Sequence, residues 1–149
     1  MSQVRAAHLL VKHTESRNPV SRRTGQQVSL TPPLAMQEIT NYMHKIQSEG
    51  LASFPHYAKE RSDCSSFRAD GDLGTFKRGM MQQSFEEASF ALQVGEMSGI
   101  VSSDSGYHLI YRIAWFDQRY STVIYQLMIL HYKTFITVPV HVFVIYGMT

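Results

Sequence analysis

Apolar and polar positions along this chain follow distinct periods, and each period predicts an element. In "VRAAHLLVKH", residues 4 to 13, an apolar run with β-branched members predicts a strand. The two-residue period of a strand places His8, Leu10 and Lys12 on one face and Leu9 and Val11 on the other. Residues 14 to 31 are rich in Ser, Arg, Asn, Gly and Gln and carry no period, so a long structureless connection is expected there. Thr31 followed by Pro32-Pro33 predicts a helix start, with a hydroxyl cap ahead of prolines whose missing N–H costs nothing in a first turn. Met36, Ile39, Met43 and Ile46 then recur at helical spacing, and this amphipathic helix is expected to end before Gly50. Ser53 is expected to cap a short helix through "FPHYAKER".

A third helix is predicted to open at Ser84, with Glu86 and Glu87 in its positive first turn, and to stop at Gly95. "GIVSS" and "YHLIYRIAWF" read as strands joined by the turn residues Asp104-Ser105-Gly106. In the second of them His8's counterpart, His108, shares a face with Ile110, while Tyr107, Leu109 and Tyr111 face the other way. The order is β-α-α, a loop with room for a short strand, then α-β-β. That order predicts an α+β domain, with helices packed on a largely antiparallel sheet.

Composition sharpens this picture at three points. A length of 149 residues fits one domain, and a single cysteine excludes an intramolecular disulfide and fits a reducing compartment. The first residues, "MSQVRAAHLLVKH", lack the apolar run of a secretory signal, so an intracellular location is expected. A formal charge of +2 does not argue for nucleic acid. Its distribution says more: Lys12, Arg17, Arg22 and Arg23 stand close together against Glu15, either as a solvated loop or placed to meet an anion. After Asp117 the composition changes. "QRYSTVIYQLMILHYKTFITVPVHVFVIYGMT" has no acidic residue, and His131, Lys133 and Pro139 make it a poor membrane span. We therefore expect a domain over residues 1–115 and a hydrophobic extension over 116–149, either an appended hairpin or a tail without settled structure, with a membrane anchor the weaker reading.

Candidate chemistry centres on "RSDCSSFRADGDLGTFKRG", where Cys64, the only cysteine, sits in a polar, glycine-punctuated loop. An unpaired thiol is more often buried among apolar groups. A mid-strand histidine is more often a satisfied core residue than a reactive one. Two of them, His8 and His108, on strands of one small sheet with a thiol in a polar loop shift that balance, because imidazole lowers a nearby thiol's pKa. The residue types alone would fit a Cys-His hydrolase. Leu73, Met81 and Phe85 are either ordinary core or the lining of a pocket for a compact apolar ring. Gly71, Gly74 and Gly79 lack phosphate-loop spacing and are assigned to turns.

Six ordered blocks, "HLLVKH", "SDCSS", "GDLGTFKRG", "FEEASFAL", "GEMSGIV" and "DSGYHLI", together resemble the parvulin peptidyl-prolyl cis/trans isomerases, in the phosphorylation-directed, Pin-type branch. The resemblance covers about residues 3 to 114. It implies an FKBP-like four-stranded antiparallel sheet surrounded by helices, with a short extra strand near Gly74-Thr75-Phe76. It further implies that His8, Cys64, Ser105 and His108 occupy the polar active-site positions, with Ser103 at a neighbouring hydroxyl position. Leu73, Met81 and Phe85 match the pocket for the proline ring, with Gln82 beside it. Lys12 and Arg17 match the residues that bind the phosphate of phosphoserine or phosphothreonine before proline. The second of the family's paired arginines is Asn18 here, which leaves Arg22 and Arg23 as candidates to replace it. No tryptophan-containing WW module precedes the matched region, and 116–149 resembles nothing in the family.

The resemblance implies a monomeric isomerase of phosphorylated Ser/Thr-Pro proteins in cytoplasm or nucleus, needing no cofactor or metal and binding no nucleic acid. A phosphopeptide-binding module with little turnover, and a parvulin without strict phosphate selectivity, are the alternatives.

Overall fold

The computed structural model describes residues 2–117, with side chains as far as residue 114; of the extension expected over 116–149, residues 116–117 continue the last strand and the rest lies outside the described residues. The elements run β1 (Ser2–Val11), α1 (Pro32–Glu49), α2 (Phe54–Arg61), β2 (Asp72–Lys77), α3 (Gln83–Ala91), β3 (Val101–Ser103) and β4 (Gly106–Asp117). Short 3₁₀ turns at Leu51–Ser53 and Ser65–Ala69 flank α2. The strands form one antiparallel sheet in the order β2-β1-β4-β3, so the two long strands lie in the middle and carry one histidine each.

A central strand covered on both faces should read as a nearly continuous apolar run, and β1 does. On one face Leu9, Val11 and Leu109 pack against Ala35, Ile39 and Ile46 of α1 and Phe54 and Ala58 of α2. On the other, Val4, Ala6, Phe76 and Ile110 meet Phe85 of α3. Burying each of the larger side chains contributes about 1.5–3 kcal/mol, which fixes the helices to their faces. The stripe on α1 is rotated from the expected one: Ala35 is fully buried, while Met36 is exposed. Among the described residues no helix is long and apolar enough to cross a membrane.

The connection from 14 to 31 is more ordered than its composition predicts. Thr14 N–H donates to Leu30 O at 2.8 Å, Val28 N–H to Pro19 O at 2.7 Å, and Val20 bridges Gln27. Backbone bonds of this kind leave no periodic trace in a sequence. Caps differ as well. The Thr31 hydroxyl makes no cap bond, and Pro33 removes one of the two N–H groups it would have served. Ser53 belongs to a 3₁₀ turn, its hydroxyl donating to Gly50 O at 2.7 Å. Helix α3 ends at Ala91, ahead of Gly95. Its end is served by fully buried Arg112 of β4, whose Nη1 donates to the carbonyls of Ser89, Phe90 and Leu92. A cation there meets both the unpaired carbonyls and the negative pole of the helix.

Candidate active site

Because β1 and β4 are neighbours, His8 and His108 stand side by side. Their Nδ1 atoms are 3.0 Å apart and their rings stack with centroids 5.2 Å apart. Phe85 of α3 meets both rings edge-on, at 5.5 and 5.1 Å. The Nε2 of His108 shares a 2.7 Å hydrogen bond with Ser103 Oγ, which also accepts Ser105 N–H at 3.1 Å. Gln82 closes this row: its Nε2 donates to Ser105 Oγ at 2.8 Å and its Oε1 accepts Asp104 N–H at 3.0 Å. Burial, and then the charge of His8, hold His108 well below its ordinary 6.5, so it is neutral at pH 7.

The loop beneath His8 requires glycine. His8 N–H donates to Gly71 O at 2.9 Å, and Gly71 has φ +86°. A Cβ there would stand 2.6 Å from His8 O, so any side chain would push β1 away from the site.

Cys64 is delivered by its two predecessors. Buried Ser62 accepts Leu10 N–H at 3.0 Å, and Asp63 N–H donates to Leu10 O at 2.8 Å. The Asp63 carboxylate accepts Lys12 N–H and pairs with Arg61 Nη1, each at 3.0 Å. The segment therefore docks along β1 and ends with the thiol beside His8. Asp63 lies in a stretch that reads as a polar loop, yet it is 2% exposed and anchors the chain. The signal that could have found it is an acidic residue flanked by Arg61 and within reach of Lys12, a buried charge needing partners.

Cys64 itself is half-buried. Burial works to raise its pKa, but hydrogen bonding and charge from His8, with further bonding from Ser66, bring it from 9.0 down to about 6. The thiol is thus mostly thiolate at pH 7. A depressed acid is ionised above its own pKa and loses the effect below it. The rate of alkylation by iodoacetamide should accordingly rise with pH through a midpoint near 6, and His8→Ala should move that midpoint upward.

These groups face a cavity of about 310 Å³. Leu73, Met81 and Phe85 supply an apolar wall, His8, His108 and Cys64 a polar one, and Gln82, Ser103 and Ser105 complete the lining. Arg17 reaches it as well, its loop tied to the β3–β4 turn through Arg17 N–H to Asp104 O at 2.7 Å. Among the described residues no carboxylate pairs with Arg17. One lining residue, Met80, was not anticipated; the doubled Met80-Met81 was the available hint.

The other basic residues are placed differently. Lys12 is 6% exposed, and its Nζ donates to Asn18 O at 2.9 Å and Val20 O at 2.8 Å. Burial lowers its pKa below 10.5, Asp63 opposes that, and Arg22, Cys64 and Arg17 also act on its ammonium. Lys12 therefore holds the loop that carries Arg17 and contributes positive potential from behind it. Arg22 is exposed and does not line the cavity, while Arg23 faces a separate groove with Arg61 and Asp63.

The arrangement differs from the usual Cys-His hydrolase. The base in such a site is oriented by an acceptor, typically a carboxylate or amide, whereas His8 Nδ1 faces a second imidazole. An apolar wall opposite a thiolate and uncharged donors suits a prolyl amide that twists without breaking. Among the described residues no group of His, Cys, Asp or Glu could hold a metal ion.

Comparison with known proteins agrees with this geometry. The family description of the PPIC-type PPIase domain, a rotamase, matches residues 8–114. The peptidyl-prolyl cis-trans isomerase NIMA-interacting 1 of Theileria annulata is 52% identical over 116 residues, 76% of this chain and 82% of the relative. The Pin1 isomerase of Arabidopsis thaliana is 44% identical over 115 residues, 75% of this chain and 96% of the relative. Among solved structures, the peptidyl-prolyl isomerase ESS1 from Candida albicans superposes with a TM-score of 0.71 at 40% identity, covering 75% of this chain and 63% of that one.

Proposed function

Since this chain belongs to the parvulin family and is a peptidyl-prolyl cis/trans isomerase of its Pin branch, we propose that it acts on phosphoserine- or phosphothreonine-proline bonds in proteins. The observation that carries the proposal is Arg17, a cation without a carboxylate partner among the described residues, on the same cavity as Leu73, Met81 and Phe85. With the proline ring against the apolar wall, the preceding residue's phosphate would meet the guanidinium, a charge-assisted and geometrically specific contact.

Catalysis asks little more of the site. Rotation about the peptide bond faces a barrier of about 18–20 kcal/mol, because the planar amide has partial double-bond character. Each tenfold gain needs only about 1.4 kcal/mol less. Binding the twisted amide better than either planar form is sufficient, and no covalent bond changes. In the twist the nitrogen regains its lone pair and the carbonyl loses conjugation. Under the proposal, Leu73, Met81 and Phe85 grip the ring while the Cys64 thiolate and the hydroxyl–imidazole row supply fixed charges and dipoles around the rotating amide.

Weak phosphate selectivity is the second reading, and it has its own observation: Asn18 stands at the position of the paired arginine, and Lys12 is committed to backbone carbonyls. Exchange spectroscopy by NMR on one Ser-Pro peptide, with and without phosphate, decides between them. We expect kcat/KM to be at least about tenfold higher on the phosphorylated peptide. Equal rates would leave an unselective isomerase.

A further inference from the structure

Met80 is 63% exposed, the most exposed large apolar side chain among the described residues, and it lies at the edge of the catalytic cavity. An isolated exposed methionine needs no explanation. This one is held in place. Its N–H donates to Lys77 O and its Sδ accepts Lys77 N–H, both at 3.3 Å, so a reverse turn closes on the end of β2. Gly79, with φ +84°, makes that turn, and its N–H is taken by the Glu86 carboxylate of α3. Two elements thus fix the direction of a thioether that the fold does not bury. Lys77, Arg78 and Gly79 beside it are all exposed, so no neighbouring side chain covers it.

We propose that Met80 is a specificity-determining residue of this isomerase: it forms an apolar lip that selects a large hydrophobic residue immediately after the substrate proline. The side of the proline follows from the sheet. Arg17 is tied to the turn after β3, Met80 to the turn after β2, and β3 and β2 are opposite edges of the sheet. With the phosphorylated residue before proline directed to Arg17, the chain leaving the proline runs toward Met80. This assignment rests on the reading that the ring enters the Leu73–Met81–Phe85 wall with the phosphate at Arg17. Thioether carbon is soft and adaptable, so it accepts leucine, methionine or aromatic side chains without a single fixed shape. Its partial burial by such a residue corresponds to about a five- to tenfold preference over glycine.

The test uses the full chain and paired peptides, Ser-Pro-Leu and Ser-Pro-Gly, each with and without phosphate. We expect a kcat/KM ratio of leucine to glycine of about five to ten in both phosphorylation states. Met80→Gln should bring the ratio close to one, and Met80→Leu should restore it. A ratio near one in the parent chain, or a ratio unchanged in Met80→Gln, overturns the proposal, as does a preference for leucine before the serine in place of after the proline. Loss of the phosphate effect alone overturns the phosphate reading and leaves the ratio, and the role of Met80, standing.

Discussion

Cys64→Asp is expected to keep kcat/KM within about tenfold of the parent chain, while Cys64→Ala should lose about a hundredfold with the fold intact. The two variants separate two roles for the thiolate. A nucleophile attacking the carbonyl carbon would be lost in both, because a carboxylate is no comparable nucleophile at that step. A fixed negative charge beside the twisting amide survives in aspartate and vanishes in alanine. The structure favours the second role. His8 brings the thiol to about 6 and so keeps it charged at neutral pH, but among the described residues no carboxylate orients His8, which faces His108. The measurement is kcat/KM for both variants on one peptide carrying glutamate before proline. That choice avoids the second ionisation of a phosphate, which falls near pH 6 and would overlap the thiol. Circular dichroism confirms folding. An aspartate variant as inactive as the alanine variant would sink the electrostatic account.

Arg17→Ala should lower kcat/KM on a phosphoserine-proline peptide by about ten- to a hundredfold and leave the unphosphorylated peptide nearly unchanged. One charge-assisted contact is worth about 1.5–3 kcal/mol, and 1.4 kcal/mol corresponds to a factor of ten. Arg17 is exposed and its anchoring bond to Asp104 uses only its backbone N–H, so truncating the side chain leaves the loop attached. Lys12 is a poor choice for the same experiment, because removing its ammonium frees the Asn18 and Val20 carbonyls and loosens the loop. Equal losses on both peptides would mean that Arg17 serves general binding or order.

Much of the fold was legible because its elements carry simple periods. The buried middle strands announced themselves as apolar runs, and the α1 helix as a stripe between a proline pair and Gly50. His8, Cys64 and His108 stood out by residue type, and Leu73, Met81 and Phe85 as core or pocket wall; resemblance chose the pocket and added Ser103 and Ser105, and the structure brings all of them onto one cavity. Other features had no local signature. Asp63 acts through Lys12, just past β1, and Arg61 of α2, so its burial is a property of the assembled chain. Arg112 looks like an ordinary strand residue until α3 is laid across it and its guanidinium meets the helix end. Lys12 illustrates the converse: its charge suggested a ligand contact, yet the long stem lets the ammonium turn back to the loop's own carbonyls.

The face-to-face Nδ1 atoms of His8 and His108 impose an exclusion rule on protons. One hydrogen at most fits in a 3.0 Å gap between two nitrogens, so with both rings neutral their tautomers are opposite and change together. If His8 holds the shared hydrogen, its Nε2 is a bare lone pair, and His108 Nε2–H donates to Ser103 Oγ. If His108 holds it, His8 carries its hydrogen on Nε2 and Ser103 becomes the donor to His108. A tautomer change at His8 therefore reverses the polarity of a hydroxyl on the far side of two rings. Nitrogen shifts of the two neutral imidazoles should report opposite tautomers, one protonated at Nδ1 where the other is bare.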